Sequence, residues 1–328
     1  MPALIAALFA LLFLPAALLA APICDGTDFA TTLSDAERQE IRTAVEAVPY
    51  GQGNHWIAQR GDQTLHVIGT MHLNDPRMEA IADRLSPLLD QADLLMMEVS
   101  PEDMNNFNSL DNMSAYLLTE GPSLIDLIGD KDWADFSTVL RKHQIAPWMA
   151  AKMRPWLLDQ MLSLPTCVRK DKQARAGLDL RLEAYARDRG VRVTSLETMA
   201  EVMGIMNAKP LEQQLKELRL ALPLYAHSTD YTVTMRTGYF AEDLAFQMEV
   251  LRRRVKEQSQ MPGPEWDQLW EDFQTSLVKN RNALWLPRIL DRNEATIVIA
   301  VGAAHLSGEH GLLTLLDQAG YNLSRAAF

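Results

Sequence analysis

Two stretches of the chain carry the same Gly-x-x-His pattern at the end of a short apolar run. Gly69 and His72 end the first run, and Gly302 and His305 end another run more than two hundred residues later. Because glycine has no side chain, it lets a chain leave a strand sharply and lets a ligand approach the backbone. The repeated pattern predicts that each histidine projects over the end of a buried strand, where an imidazole can bind a metal or move a proton.

Two carboxylates occupy comparable places. Glu98 ends the apolar run LLMM, and Glu197 lies at the end of the run VRVTSL. Because an unpaired carboxylate is costly to bury, Glu98 considered alone is expected to cap a helix or to meet an arginine. Two histidines and a glutamate together suit a divalent transition metal, such as Mn, Co or Zn, with an open position for water. A metal-free site, in which Glu98 holds one histidine as a general base, is the alternative.

The elements that position these residues follow from hydrophobic periodicity. Four apolar runs are typical of buried strands, at 64–70, 92–100, 191–198 and 295–305. Helical patterns occupy 75–91, where Asp75 is the predicted N-cap, and also 178–190 and 308–320. This alternation predicts an α/β fold with a central, mostly parallel sheet flanked by helices. Ligands bind beyond the carboxyl ends of such strands, so both histidines and both glutamates are expected at one edge.

Residues 22–328 are predicted to form one domain with two long helical insertions, at about 103–170 and 199–292. Their amphipathic patterns fit extra packing layers and fit a lid over the sheet edge equally well. Pro287 is expected to break or kink the helix RNALWLPRIL, which begins at Arg281.

The N-terminal stretch has no charged side chain before Asp25, and small residues crowd its end at Ala20 and Ala21. This pattern predicts a cleaved signal peptide over 1–21 and a periplasmic or secreted protein, with an uncleaved membrane anchor as the alternative.

Charge and cysteine usage restrict the function further. With a net charge of −12, the chain is a poor candidate for binding nucleic acid or an anionic membrane surface. The chain has two cysteines, Cys24 and Cys167. In an oxidising compartment they are expected to form a disulfide rather than to remain unrelated thiols.

The chain resembles the TraB/GumN family, which includes the pheromone-shutdown protein PrgY and the animal Tiki proteins. The resemblance runs from about residue 24 to the C-terminus. It is carried by the motifs GTMH (69–72), EV (98–99), MRPW (153–156), GLD (177–179), SLET (195–198), RN (281–282) and VGAAHLSGEHGLL (301–313). The resemblance implies the α/β fold with helical additions that erythromycin esterases and ChaN-like proteins share.

Tiki proteins are metal-dependent proteases whose function depends on both Gly-x-x-His motifs and the glutamate. The resemblance therefore implies a metal-dependent hydrolase, and specifically a peptidase that acts on a peptide or protein. Its metal ligands would be His72, Glu98 and His305. Glu98 and Arg281 are the implied catalytic groups, and Arg281 would pair with Glu98 or stabilise an oxyanion.

Other residues of the family pattern are expected to support this site. Gly69, Gly302 and Glu197 would shape it, whereas Arg154 and Asp179 would either orient the ligands or form a structural ion pair. Two other functions remain open. One is a non-catalytic protein that sequesters a peptide or small ligand. The other is haem capture, as in ChaN-like proteins, for which the seven histidines offer no locally spaced pair.

Overall fold

The protein is described here by a computed structural model that covers residues 24–107, 110–170, 177–259 and 261–328. The predicted signal peptide at 1–21 lies outside these residues. The sheet has six strands: β1 (His55–Arg60), β2 (Gln63–Thr70), β3 (Leu94–Met97), β4 (Arg192–Ser195), β5 (Thr296–Gly302) and β6 (Asn322–Arg325).

The strand order across the sheet is β4-β3-β5-β2-β1-β6. The neighbours from β4 to β2 are parallel, while β1 runs antiparallel to both β2 and β6. The predicted α/β fold with a mostly parallel sheet is therefore confirmed. The four predicted strands are its parallel part, and β1 and β6 were not predicted.

Helices occupy most of the remaining chain. They are α1 (Asp35–Val45), α2 (Met78–Leu89), α3 (Pro101–Phe107), α4 (Leu124–Ile128), α5 (Asp130–Lys142), α6 (Pro147–Ala150), α7 (Pro155–Ser163), α8 (Thr166–Lys170), α9 (Leu178–Asp188), α10 (Met199–Asn207), α11 (Leu211–Ala221), α12 (Ser228–Phe240), α13 (Leu244–Ser259), α14 (Gly263–Gln274), α15 (Asn280–Leu290) and α16 (Leu312–Gln318). A π-helical turn, Thr275–Lys279, joins α14 to α15. None of the helices in the described part of the chain has the length and hydrophobicity that crossing a bilayer requires.

Both faces of the central parallel strands β3 and β5 are buried, which is why their sequences are almost continuously apolar. On β5, Val298 and Ala300 face one apolar cluster, which includes α2 and α9. Ile297, Ile299 and Val301 face the opposite cluster, which includes α15 and α16. The sheet is thus a middle layer between helices, with one apolar cluster on each of its faces.

The two helical insertions pack against each other through an apolar core of their own. This core joins α4, α5 and α7 of the first insertion to α11 of the second, with Phe136, Leu158 and Leu218 fully or almost fully buried. The insertions therefore form a separate helical layer, held together by burial of the same kind that holds the sheet layers.

The disulfide between Cys24 and Cys167 is present, as predicted, with 5.4 Å between the Cα atoms. It ties the start of the described chain to α8 and lies in a small apolar cluster that includes Leu73, the residue after His72. Because disulfides persist in oxidising compartments, this bond fits a periplasmic or extracellular location.

Two local expectations need correction. Asp75 does not stand directly before α2, which begins at Met78 after Arg77. Its Oδ1 accepts from the Arg77 backbone N–H in the turn that leads into the helix, and its carboxylate also pairs with the side chains of Arg77 and of the buried Arg236 of α12. Pro287 does not break α15, which continues to Leu290. Trp285 and Ile289 on either side of this proline are fully buried against the sheet, and this tertiary packing holds the helix together.

Candidate functional site

Three strand ends meet at one edge of the sheet because β2, β5 and β3 are neighbours. Thr70 of β2 is level with Gly302 of β5, and Met97 of β3 is level with Ala300. His72 follows β2 by two residues and Glu98 follows β3 directly. His305 ends a short 3-10 turn, Ala303–His305, that leaves β5. The topology thus brings Glu98 and the two Gly-x-x-His segments to the same place. We call residues 69–72 the first corner and residues 302–305 the second corner.

Gly302 marks their meeting point. A Cβ atom on this residue would lie 3.1 Å from Oε1 of Glu98, 3.7 Å from Cδ2 of His305 and 3.8 Å from Nε2 of His72. The Gly302 N–H also donates to Oε1 of Glu98 at 2.6 Å. A Cβ here would press on the Glu98 carboxylate, which would have to shift by a few tenths of an ångström, so the glycine serves this close approach rather than a special backbone angle.

His305 is buried and held in one tautomer. Both N–H groups of the Asn282 amide donate to carbonyls, those of His305 at 3.0 Å and His310 at 2.8 Å. The Asn282 oxygen must therefore accept, and His305 Nδ1 donates to it at 2.8 Å. Burial lowers the pKa of His305 to about 4, which leaves a neutral ring with its lone pair on Nε2.

His72 has the opposite surroundings. Its side chain is 60% exposed, and Nδ1 lies 3.1 Å from Oδ2 of Asp179. The hydrogen bond to Asp179 raises the pKa of His72 to about 9, and solvent screens this interaction because the ring is exposed. Gly177 permits the contact, since a Cβ there would lie 2.2 Å from the Met71 carbonyl oxygen. The first turn of α9 can therefore carry Asp179 up to the corner.

The Arg281 guanidinium lies between two carboxylates and one imidazole. It donates from Nη2 to Oε2 of Glu98 at 2.6 Å and from Nε to Oε1 of Glu197 at 2.9 Å. Nη1 contacts Nε2 of His305 at 3.1 Å. One cation thus links the ends of β3, β4 and β5.

The two glutamates ionise differently in this network. Burial acts to raise the pKa of Glu98, but His305, Arg281 and His72 together lower it to about 2. Burial raises the pKa of Glu197, which is 1% exposed, although Arg281 opposes this effect. Arg281 is therefore the charge that makes both carboxylates tolerable in the interior.

The remaining sequence-derived residues divide between the site and the scaffold. Glu197 and Asp179 contact site residues directly. Arg154 lies at the start of α7 and donates from Nε to the Ser114 carbonyl at 2.9 Å, within the helical layer. Gly69 is packed tightly, since a Cβ there would lie 2.7 Å from Cδ1 of Leu306. The sequence analysis assigns no role to Asn282. Its position next to Arg281 in the RN motif is the one feature of the sequence that points to it.

The donor set has the chemistry of a metal site. Each imidazole has its Nδ1 held by a side chain, Asp179 or Asn282, and presents Nε2 toward the Glu98 region, as metal-ligating histidines commonly do. However, Arg281 contacts the His305 Nε2 atom. Among the described residues, no three His, Cys, Asp or Glu side chains are already arranged to hold an ion. The His305 Nε2 lone pair can accept from Arg281 or bind a metal, but not both at once. Metal binding by this set therefore requires Arg281 to release His305.

The fold and the site together define an α/β protein with a histidine–glutamate–arginine cluster at the strand ends. The TraB/PrgY/gumN family model matches residues 54–325, and the chain belongs to this family. It is similar to the uncharacterized protein YbaP of Escherichia coli (strain K12), with 24% identity over 274 residues that cover 81% of this chain and 94% of that protein. YbaP of Shigella flexneri matches to the same extent.

Proposed function

We propose that this chain is an exported hydrolase that cleaves peptides at the strand-end site. A divalent transition metal, Mn, Co or Zn, would be held by His72, Glu98 and His305. The observation that carries the proposal is the convergence of these three side chains around Gly302. Each imidazole is already oriented through Nδ1 by a separate side chain.

The chain's own residues have distinct roles in this proposal. Asp179 and Asn282 fix the directions of the two imidazoles, and the Gly302 N–H fixes Glu98. When bound, the metal would lower the pKa of a water molecule and polarise the scissile carbonyl. Arg281 remains anchored by Glu197 after leaving His305, and its N–H groups are then available to the oxyanion.

The choice of a peptide as substrate rests on the resemblance to Tiki proteins. Export rests on the apolar N-terminal segment, which lies outside the described residues, and on the Cys24–Cys167 disulfide. The disulfide supports folding in an oxidising compartment.

One observation favours a second candidate, a protein that binds a peptide or small ligand without cleaving it. Arg281 contacts both Glu98 and the His305 Nε2 atom, so of the two site histidines His72 is the one whose side chain is exposed to solvent. In this candidate the Arg281 network stabilises the sheet edge, and the ligand is recognised elsewhere on the helical layer.

Hydrolysis of a defined peptide mixture, followed by mass spectrometry, tests the proposal. The purified protein is incubated with Mn, Co or Zn, or with a chelator, beside Glu98→Gln and the matched control Glu201→Gln, whose carboxylate pairs with Arg288 on the surface. We expect metal-dependent cleavage that falls at least about 100-fold in Glu98→Gln and is unchanged in Glu201→Gln.

The other results separate the alternatives. Cleavage that survives the chelator but needs Glu98 supports the metal-free His/Glu mechanism. Saturable peptide binding with no cleavage under any condition contradicts the hydrolase and supports the binding protein.

A further inference from the structure

A cavity of about 530 Å³ lies beside the helical layer, apart from the strand-end cluster. It is bounded by α7, α12 and α13 and by the 3-10 turn Leu222–His227. Leu73 also lines it, so the cavity reaches the chain segment that directly follows His72. Its walls are mainly apolar side chains, such as Leu157 and Val255. A cavity of this volume and lining accommodates the apolar body of a small ligand.

Asp159 of α7 is the one charged side chain among the described residues that line this cavity. Its Oδ1 accepts a hydrogen bond from the buried Tyr225 hydroxyl at 2.7 Å. Its Oδ2 accepts no hydrogen bond from a described residue, and it retains accessible surface because the residue is only half-buried. The cavity therefore offers a carboxylate oxygen to which a ligand can donate.

The Asp159 carboxylate also lacks a counter-charge. No Lys, Arg or His side chain in the described part of the chain forms an ion pair with it, since the Lys209 ammonium pairs with Glu217 at 2.7 Å instead. Burial raises the pKa of Asp159 and the charge of Glu217 acts in the same direction, although Tyr225 and Lys209 oppose them. An ionised carboxylate in an apolar wall is costly until a cation compensates it.

The lining discriminates between ligands by their charge. An anion would be repelled by Asp159, and a neutral apolar ligand would cover Oδ2 without donating to it, which is unfavourable. A protonated amine supplies both a hydrogen bond and the missing counter-charge. An adjacent cavity of about 350 Å³ shares Asp159 and adds only the paired Lys209 and Glu217 as charged lining residues, so the two linings together hold two carboxylates and one ammonium. This excess of negative charge also favours a cation.

We propose that this cavity binds the N-terminal ammonium of a peptide whose first residue is bulky and apolar. The ammonium donates to Asp159 Oδ2, and the first side chain packs against the apolar walls. The recognition of an amine on an apolar body follows from the cavity itself. The assignment of that amine to a peptide N-terminus rests on the proposed function, with Leu73 connecting the cavity to the segment that carries His72.

Isothermal titration calorimetry on the full chain tests this assignment, in chelator, so that no turnover is needed. The probes are phenylalanyl-leucinamide, its N-acetyl derivative, and N-acetyl-leucyl-lysinamide, whose amine is on a side chain. The titrations are made at about pH 6.5, where an α-amino group with a pKa of about 7.7–8.0 is protonated. We expect saturable binding of one free-amine dipeptide per chain, and at least about tenfold weaker binding of its acetylated form, which has no charge.

Two variants change the charge of the cavity. Asp159→Asn removes the negative charge and keeps an oxygen that can accept from Tyr225, so it should weaken binding of phenylalanyl-leucinamide about 10- to 100-fold. The matched control Asp135→Asn, at an exposed carboxylate of α5, should bind as wild type does. Met235→Lys, at a lining residue that is 42% exposed, adds an ammonium to the lining and should also weaken binding.

Absence of saturable binding of phenylalanyl-leucinamide by wild type overturns the proposal, as does equal affinity for its acetylated form. Undiminished affinity in Asp159→Asn also overturns it, and if that variant fails to fold by circular dichroism, undiminished affinity in Met235→Lys does so. Binding of the lysine probe alone contradicts the assignment to a peptide N-terminus. The result is independent of hydrolysis, because amine-dependent binding without cleavage of any peptide sustains the cavity's role while contradicting the hydrolase.

Discussion

The two Gly-x-x-His corners share four residues of pattern and differ in almost everything around them. At the first corner His72 is 60% exposed and has a carboxylate, Asp179, behind its ring. At the second, His305 is 5% exposed and has a neutral amide, Asn282, behind its ring and Trp285 packed on it at 4.4 Å between centroids. The pKa of the first histidine is raised to about 9, and that of the second is lowered to about 4.

The glycines differ in the same way. Gly69 makes room for Leu306 and Ala303 of the other corner, whereas Gly302 makes room for the Glu98 carboxylate. One glycine serves packing and the other serves the site. A short motif therefore fixes where a histidine stands, while distant residues on other elements decide its charge and its accessibility.

The largest effect is expected at the buried corner. Arg281→Ala leaves Glu98 and Glu197 without their shared cation, so the free energy of unfolding should fall by about 3–5 kcal/mol in urea titrations. Arg288→Ala, on the same helix, removes a partly exposed pair with Glu201 and a hydrogen bond to the Leu196 carbonyl, and it should cost less, about 1–2 kcal/mol. Equal losses of unfolding free energy in the two variants would contradict the claim that the buried Arg281 pairs contribute more to stability than the partly exposed Arg288 pair.

The exposed corner is expected to depend on the disulfide. Replacing Cys24 and Cys167 with serine should lower the free energy of unfolding by about 2–5 kcal/mol. Because Leu73 packs in the disulfide cluster, hydrogen exchange should accelerate more at residues 70–74 than at 302–306. Equal acceleration at both corners would show that the disulfide supports the whole edge rather than the His72 side.

The two glycines should respond differently to alanine. Gly69→Ala places a methyl group 2.7 Å from Leu306, which is fully buried, so we expect a loss of about 1–3 kcal/mol in the free energy of unfolding. Gly302→Ala meets the Glu98 oxygen at 3.1 Å and should cost less stability while displacing Glu98 from the site. Under conditions in which Gly302→Ala is fully folded, its rate of peptide cleavage should therefore still fall below that of wild type. The reverse ranking would contradict the division between packing and site.

The smallest effect is expected from removing the charge of Asp179, the carboxylate beside the His72 ring. NMR titration in chelator should show the ring protons of His72 moving above pH 6.5, on the side of 9, and those of His305 moving well below it, near pH 4. Asp179→Asn should lower the pKa of His72, because the hydrogen bond to this carboxylate is the largest cause that raises it. Coincident titrations of the two rings would eliminate the contrast between the corners.

The same pair should make a small, pH-dependent contribution to stability. Folding raises the pKa of His72 above its ordinary value of 6.5, so the contribution is complete below about pH 6.5 and is lost as the pH rises to about 9. Because the ring is exposed, we expect about 1 kcal/mol or less, measured as the difference in unfolding free energy between wild type and Asp179→Asn.

The parallel part of the sheet and its two corners could be predicted because the strand sequences are mostly apolar or β-branched and the runs before His72 and His305 end near Gly69 and Gly302. The antiparallel strands β1 and β6 could not be predicted, because their sequences, HWIAQR and NLSR, contain polar residues that are typical of loops. The ion pair between Asp75 and Arg236 could not be predicted, because these residues are 161 positions apart in the sequence. Pro287 looked like a break because the burial of Trp285 is not visible in a linear pattern.

For the candidate site, the residue types and the strand ends at which they lie could be predicted, and the family resemblance implied the pairing of Arg281 with Glu98, which the structure contains. The contacts of Arg281 with Glu197 and His305, and the tautomer that Asn282 imposes, could not be predicted, because these depend on how α15 packs over the strand ends.

The central claim is that the two corners form one site. The most direct test is the metal content and affinity of the purified protein, for wild type, His72→Ala, His305→Ala and the double variant, all checked by circular dichroism. We predict about one equivalent of Mn, Co or Zn in wild type, with each single variant losing as much affinity as the double variant. Undiminished metal binding in either folded single variant would contradict the claim.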